Sequence, residues 1–419
     1  MTTLDRANAE TAQTRTMSGA TVSRYRWVIV AALVAGSWSM SVPSISFGVM
    51  LPRISDTLHL SDLQKGWLGS SLRIGNVLVT VPVAMYFSRF NPVRLTAITL
   101  AFSALFTFMQ GLAPAFAVLF VARMGFGLSF SMRTPARAII AHQWFPLNEI
   151  AFMNGLTIGL GSIAEATTLA LTPLILGATD SWRATYYIFG SFVVAVLAFW
   201  LLFARSRQSA TREAEERLVG PVSLRRVMRY KEVWLIGLGG MGASYSWWVF
   251  GTFWPTYMLE QHGVSVKQSG WLFAMNSTGT LPASLLLGLL ASRLGHRRLI
   301  LVGCGLLMFG ASLGLLATTS TPLLAVLMFC AGMGWGYMPV AQAIPYELPG
   351  LEPRGIAVAL SIQTAMLFMG GVLGPVMTGA ISDTTESLRA ALTVGAVSPL
   401  LLVVSALLLG ERPRVKAVA

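Results

Sequence analysis

Apolar stretches, each about as long as the 20 residues that cross a bilayer, alternate with short polar segments along almost the whole chain. Only helices and closed barrels satisfy the backbone in hydrocarbon, and the ten-residue alternation typical of a membrane barrel is absent. Twelve stretches are therefore predicted as transmembrane helices, near residues 27–51, 67–87, 94–111, 115–140, 150–176, 185–203, 233–258, 270–291, 299–317, 322–343, 355–381 and 389–410.

One phrase occurs twice in the sequence. SDLQKGWL begins at Ser61 and SVKQSGWL begins at Ser265, 204 residues later. In both, Gln follows Ser by three positions, which is typical of a helix-starting capping box, and Trp follows at interface depth. The Ser-Arg pair at 88–89 recurs at 292–293, again with the offset of 204. We interpret the chain as two six-helix halves related by a parallel repeat, a known plan of secondary transporters.

The basic residues predict the orientation. The chain is 54% hydrophobic and 11% charged, with a net charge of +13. With the N-terminus in the cytoplasm, 23 of the 30 basic residues lie inside, five lie outside and two lie within the membrane. An excess of Lys and Arg marks cytoplasmic loops, so the net charge needs no nucleic acid to explain it. We expect both termini to be cytoplasmic and membrane lipid to be a partner, in a bacterial inner membrane.

The predicted organisation is that of an all-α membrane protein. It comprises a cytoplasmic tail at 1–26, a six-helix half at 27–203, a basic cytoplasmic connector at 204–231, a second six-helix half at 232–410 and a tail at 411–419.

A family resemblance rests on short motifs. The stretch 288–298 resembles the loop signature of the major facilitator superfamily, Gly-x-x-x-Asp-Arg-x-Gly-x-Arg-Arg. Arg123 with Gly127, Pro135 and the Trp-Phe-Pro at 144–146 is similar to the helix-4 signature of the anion:cation symporter branch. The run 346–350 and the later Gly-Pro at 374–375 are similar to cyanate-permease-like members. The resemblance implies a twelve-helix fold whose helices 2, 4 and 5 surround a central cavity.

The chain departs from the family pattern at two places. The signature Asp, which forms a cytoplasmic charge latch in relatives, is Ser88 in the first half and Ser292 in the second. Where the symporter branch has Glu seven residues after its Arg, this chain has Phe130. The residues expected to form the cytoplasmic gating loops are Ser88, Arg89, Arg94, Ser292, Arg293, Arg297 and Arg298.

Three ionisable residues within the predicted spans are candidates for function: Arg73, Arg123 and Glu165. Arg133 and Arg137, at the inner end of the fourth span, are expected to be positive-inside anchors. An ionisable group in a span is costly and is therefore a functional candidate. Polar neighbours at helical spacing predict that all three face protein or water, where their net charge of +1 or +2 favours an anion. We expect Arg123, and also Arg73, to bind the substrate and Glu165 to couple protons. The alternatives are a structural Arg123–Glu165 pair and an Arg73 that extends to the outer interface.

The second half offers neutral candidates for the same cavity. The residues predicted to bind substrate there are Tyr245, Trp248, Asn276, Trp335 and Gln363. Aromatic side chains at these spacings serve packing more often than ligand binding. Together with the cationic half they would still suit a small carboxylate with an apolar body.

The hypothesis is a secondary transporter of a small organic or inorganic anion, working by alternating access, with protons as a possible coupling partner. One alternative is an exporter of drugs or hydrophobic metabolites, and another is a membrane scaffold or sensor, which the short loops disfavour. The sequence shows no metal cluster, nucleophile–base pair or phosphate loop, so we expect no enzyme activity, no cofactor and no metal. We expect a monomer that does not bind nucleic acid.

Overall fold

The chain is all-helical wherever its structure is described. A computed structural model describes residues 25–86, 91–144, 147–205, 224–294, 297–351 and 353–410, and no strand occurs in these ranges. The first six long helices are α1 (Arg26–Leu58), α2 (Asp62–Tyr86), α3 (Pro92–Leu112), α4 (Phe116–Trp144), α5 (Leu147–Thr179) and α6 (Trp182–Phe203). The last six are α7 (Lys231–His262), α8 (Val266–Leu294), α9 (Arg297–Ala317), α10 in two parts (Thr321–Gly334 and Tyr337–Ala343), α11 (Pro353–Thr385) and α12 in two parts (Leu388–Val397 and Leu400–Leu408).

The helices agree with the predicted spans in order and approximate position. Within the described residues, nine helices are long and apolar enough to cross a membrane. The nine do not include α2, α7 and α8, and parts of α2 and α8 lie outside the residues whose side chains are described. The all-helical prediction is confirmed, and the count of twelve spans stays a prediction.

The duplicated phrase begins a helix in both places. At α2 the capping box is complete, since Ser61 Oγ accepts from Gln64 N at 3.2 Å and Gln64 Oε1 accepts from Ser61 N at 3.1 Å. At α8 only half of it forms. Ser265 Oγ accepts from Gln268 N at 3.2 Å, but the Gln268 amide donates to Thr321 Oγ1 at 2.7 Å, because α10 begins beside it.

The same helix pairings occur in both sets of six. In the first set α1 packs on α5 and α6, α4 packs on α2 and α3, and α3 packs on α6. In the last set α7 packs on α11 and α12, α10 packs on α8 and α9, and α9 packs on α12. Each of these five pairings in the first set therefore has a counterpart six helices further along the chain.

Glycines set the closest of these crossings. A Cβ added to Gly75 of α2 would meet the carbonyl oxygen of Met124 in α4. A Cβ added to Gly279 of α8, 204 residues later, would meet the carbonyl oxygen of Phe329 in α10. Small residues permit such backbone approach between helices in membranes. The two crossings thus share both geometry and sequence register.

The two sets contact each other through α2 with α11, α5 with α8, and α1 with α7. We name the end of the bundle that carries the α1–α2 and α7–α8 connections the outer end, following the predicted orientation. Among the described residues, the closest approaches between the sets lie towards this end. Gly48 meets Gly251, Gly66 meets Pro375, and Gly270 meets Leu169. The bundle is closed at its outer end.

Substituting a glycine at an equivalent crossing should destabilise both sets alike. Gly127→Ala would press a methyl group on the Leu72 carbonyl oxygen, and Gly332→Ala would do the same at Asn276. Each substitution is expected to cost about 1–3 kcal/mol and to lower the melting temperature in detergent. Gly310→Ala is the control, because a Cβ there meets nothing within 4 Å. A crossing variant as stable as the control would contradict this packing.

Candidate functional site

Arg123 is fully buried among neutral partners near the outer end of α4. Its Nε donates to the Leu68 carbonyl oxygen at 2.9 Å. Its Nη1 lies 3.4 Å from both Gln110 Oε1 and Tyr186 Oη. The guanidinium carbon lies 3.7 Å from the ring centroid of Phe47, a distance suited to a cation–π contact. Four different helices therefore fix this side chain, and all of its partners are uncharged.

Arg73 lies where α2 meets α7 and α11. Its guanidinium carbon is 3.9 Å from the ring centroid of Trp248 and 5.5 Å from that of Phe368. With its amide oxygen towards Arg73, Asn76 accepts from Nη1 at 2.8 Å and donates to the Gly127 carbonyl oxygen at 2.7 Å. Arg73 Nε is buried and has no hydrogen-bond partner among the described residues. This arginine stacks between the two helix sets, so it does not extend to the outer interface.

Glu165 lies half-buried in α5 on a face that continues with the buried Thr168 and Thr172. One turn earlier, a Cβ added to Gly161 would meet nothing within 4 Å, so open space adjoins this face. Glu165 interacts electrostatically with Arg73, which also lies within electrostatic range of Arg123.

No ion pair within 4.0 Å joins any of these three residues to an opposite charge in the described part of the chain. The structural Arg123–Glu165 pair, an alternative from the sequence, is therefore not formed. The partners of Arg123 are neutral, and the arginine whose charge interacts with Glu165 is Arg73. Arg123 is buried and Arg73 is half-buried, and Glu165 forms a direct ion pair with neither of them.

Two small cavities adjoin the arginines and the aromatic residues. The first lies between the sets and is lined by Ser44, Ile45, Phe47, Gly48, Gly69, Arg123, Trp247, Trp248, Gly251, Thr252 and Phe273. The second lies within the last set and includes Asn276, Trp335, Ser246 and Ser312. Each offers about 20 Å³ to the centre of a water molecule, enough for about one water. Neither of these two cavities has room for an organic molecule in this structure.

Of the predicted substrate residues in the last set, Asn276 lines the second cavity, whereas Tyr245 and Gln363 lie apart from both. Asn276 is 5% exposed and its Oδ1 is buried without a partner among the described residues. Tyr245 packs against Gly374 of α11, and Gln363 is buried in the same helix. Neither Tyr245 nor Gln363 lines either of the two cavities.

The structure describes only some of the residues predicted to form the gating loops. Ser88 and Arg89 lie outside the described residues, and Ser292 and Arg293 lie in α8 at positions where side chains are not described. Arg297 forms an ion pair with Glu347, within the last set. The two other predicted residues are the exposed Arg94 and the half-buried Arg298.

Several site residues were not predicted from the sequence. Gln110, Tyr186 and Asn76 contact the arginines, and Trp247 with Phe273 joins the two cavities. A polar residue in a span is a weak signal by itself. Its partner is on another helix, so only tertiary packing identifies it.

The comparisons with known proteins identify the class of protein. A family model described as Major Facilitator Superfamily matches residues 27–246 and 236–419. The chain is a membrane transport protein. It belongs to the Major Facilitator Superfamily, so the family resemblance and the interpretation as a transporter, not an enzyme, are confirmed.

Similar curated proteins are named as transporters of acids. The chain is 25% identical to a probable L-galactonate transporter of Escherichia coli K12, over 81% of this chain and 80% of that protein. It is 21% identical to the probable sulfoacetate transporter SauU of Cupriavidus necator, over 83% and 85%. It is 22% identical to a hexuronate transporter of Bacillus subtilis, again over 83% and 85%.

Solved structures share the fold. A bacterial homologue of the human lysosomal transporter Spinster, inward-facing and occupied, matches with a TM-score of 0.77 at 17% identity, covering 92% of this chain and 96% of that one. The nucleoside transporter NupG matches with a TM-score of 0.71 at 15% identity, covering 92% and 98%.

Arg123→Lys should weaken the fold while the protein still inserts. A lysine keeps the charge but cannot reach the Leu68 carbonyl, Gln110 and Tyr186 together. The expected cost is about 1–3 kcal/mol, measured as a lower melting temperature in detergent. Arg389→Lys, at an exposed position, is the matched control. Equal melting temperatures for the two variants would show that the Arg123 contacts are dispensable.

Proposed function

We propose that this chain is a secondary transporter of a small organic anion that works by alternating access. The observation that carries the proposal is the buried Arg123 beside the half-buried Arg73, neither of which has a direct carboxylate partner in the described part of the chain. A positive charge in a poorly solvated site is stabilised by a bound anion. The names of the curated relatives, which include galactonate, sulfoacetate and hexuronate, support an acid as substrate.

The two arginines have different roles in this proposal. Arg123 is fixed by four helices and provides a constant positive charge beside the first cavity. Arg73 keeps a buried Nε without a partner and stacks on Trp248 of the other helix set. Arg73 therefore contacts the anion directly, and its stacking on Trp248 links the bound anion to both helix sets. The apolar part of the substrate packs against the aromatic side chains of the last set.

Alternating access follows from a repeat of two six-helix halves, residues 27–203 and 232–410. The helix pairings and the two glycine crossings, which recur 204 residues apart, support this organisation with twelve spans. The distribution of basic residues supports cytoplasmic termini in a bacterial inner membrane. The halves rock about the charged cavity, which is closed at its outer end.

Glu165 couples protons in the same proposal. It lies on a partly open face of α5 and interacts with Arg73 at a distance longer than a direct ion pair. Its protonation leaves the site with a net charge of +2, which favours anion binding. Its ionisation lowers that charge to +1 and favours release.

A counterflow screen of organic and inorganic anions in proteoliposomes tests the proposal as a whole. Exchange of one class of small carboxylate or sulfonate above an empty-liposome control is expected. The aromatic cavity of the last set makes an exporter of hydrophobic metabolites the second candidate. Transport of cationic dyes, with no response to any anion, would replace the first candidate by the second.

Arg73→Gln should weaken the apparent affinity for the anion about 10- to 100-fold, because a charged hydrogen bond to the substrate is lost. Arg73→Lys keeps the charge without the planar fork and should lie between this variant and the wild type. Counterflow at several anion concentrations measures both. Arg389→Gln, which removes an exposed arginine, should be neutral. Wild-type affinity in Arg73→Gln would exclude Arg73 from anion binding.

Glu165→Gln should abolish stimulation by an inward proton gradient and leave exchange of anion across the membrane intact. Exchange moves no net proton, whereas driven uptake does. Because Glu165 forms no direct ion pair in the described structure, the Gln variant should keep its stability. The two transport modes are measured side by side in proteoliposomes. Proton-driven uptake that survives in Glu165→Gln removes this residue from coupling.

A further inference from the structure

The start of α2 is capped by a carboxylate from the opposite helix set. Asp383, near the end of α11, accepts from the Asp62 backbone N–H through Oδ1 and from the Leu63 N–H through Oδ2, each at 3.0 Å. In return, Asp62 Oδ2 accepts from Ser382 Oγ at 2.5 Å. Asp62 Oδ1 also pairs with Lys65 Nζ at 2.8 Å. The contact is thus reciprocal and joins the two sets at the outer end.

The backbone groups at this helix start can be accounted for completely. The first N–H groups of a helix lack intrahelical partners. Ser61 N and Gln64 N are satisfied by the capping box, and Lys65 N donates to the Ser61 carbonyl oxygen at 2.9 Å. Asp62 N and Leu63 N then remain, and these are the two that Asp383 accepts from. If α11 moved away, both N–H groups would lose this hydrogen-bond acceptor. The favourable interaction between a carboxylate and the N-terminus of α2 would be lost as well.

The second copy of the phrase lacks the residue that would make the equivalent contact. Val266 and Lys267 of α8 stand where α2 has Asp62 and Leu63, so the reciprocal carboxylate is missing. On the inner side, the carboxylate of the family loop signature is serine at both positions, Ser88 and Ser292. Among the described residues, the carboxylates of Asp62 and Asp383 join the two sets where α2 begins beside the end of α11.

We propose that Asp383 and Asp62 form an outer latch that holds α2 against α11 and must open for the cavity to face outwards. Asp383 is a positioning residue for the transport cycle, because it contacts the start of α2 and does not line the cavity. The proposal rests on the alternating access of the proposed function and is independent of which substrate is carried.

The rate at which a buried cysteine is labelled from outside reports how often the latch is open. Ser44→Cys, with Cys304→Ala and Cys330→Ala, places a single thiol in the first cavity, where Ser44 is 7% exposed. A membrane-impermeant maleimide is added to right-side-out vesicles, and the labelling rate then follows the outward-open fraction. Asp383→Ala in this background should raise the rate about fivefold, as expected for loss of a helix cap. An unchanged rate overturns the latch.

Two controls make this result specific. Thr384→Cys, exposed beside the latch, must label rapidly, which shows that the reagent reaches the outer end. Arg53→Gln breaks the exposed Arg53–Asp180 pair of 3.0 Å, which lies within the first set, and should leave the Ser44→Cys rate unchanged. A rise in this variant equal to that in Asp383→Ala would show general loosening and overturn the latch.

A second variant tests the latch if the first does not fold. If Asp383→Ala fails to accumulate, Ser382→Ala removes the reciprocal hydroxyl donor and should still raise the rate. No rise in this variant then overturns the latch. Labelling needs no substrate, so a chain that shows the rise but exchanges no anion loses only the anion proposal. Absence of Ser44→Cys labelling in every background would overturn alternating access, and the latch with it.

Discussion

The cost of an unpaired polar group in hydrocarbon is the constraint on which this structure depends. It forces the backbone into helices, and it forces Arg123 into a network of neutral acceptors and an aromatic ring. A carboxylate in direct contact would neutralise that arginine permanently. Neutral partners stabilise the guanidinium while they leave its charge uncompensated. The same network thus holds four helices together and leaves a positive charge beside the first cavity.

Close backbone crossings give the bundle its rigid parts. Where Gly75 meets Met124, and Gly279 meets Phe329, no side chain separates the helices. The two sets contact each other through separate interfaces. These are the α2–α11, α5–α8 and α1–α7 interfaces, where Arg73 stacks on Trp248 and Asp383 caps α2. The side chains of Arg73 and Asp383 thus join helices of different sets at the α2 interface with α7 and α11.

The predicted substrate residues divide according to where their partners lie. Arg73, Arg123 and Trp248 come together around one region between the sets, and Asn276 with Trp335 lines a second cavity. Tyr245 is one turn from Trp248 on α7 and Gln363 lies on α11, but neither lines one of the two cavities. Helical periodicity gives the face of a residue on its own helix. It does not give the neighbour opposite, which depends on crossing angle and depth.

The sequence by itself determined the helical class, the order of the helices, the capping box at Ser61 and the 204-residue register, because these follow from local hydrogen bonding and from periodic burial of apolar surface. It also identified the three ionisable residues in the spans, since charge in a long apolar stretch stands out. Only the tertiary structure decided that Arg123 has neutral partners, that Glu165 interacts with Arg73, and that Asp383 reaches α2 across more than 300 residues of chain. Such pairings join groups on different helices, and their energies depend on distances that no local pattern encodes.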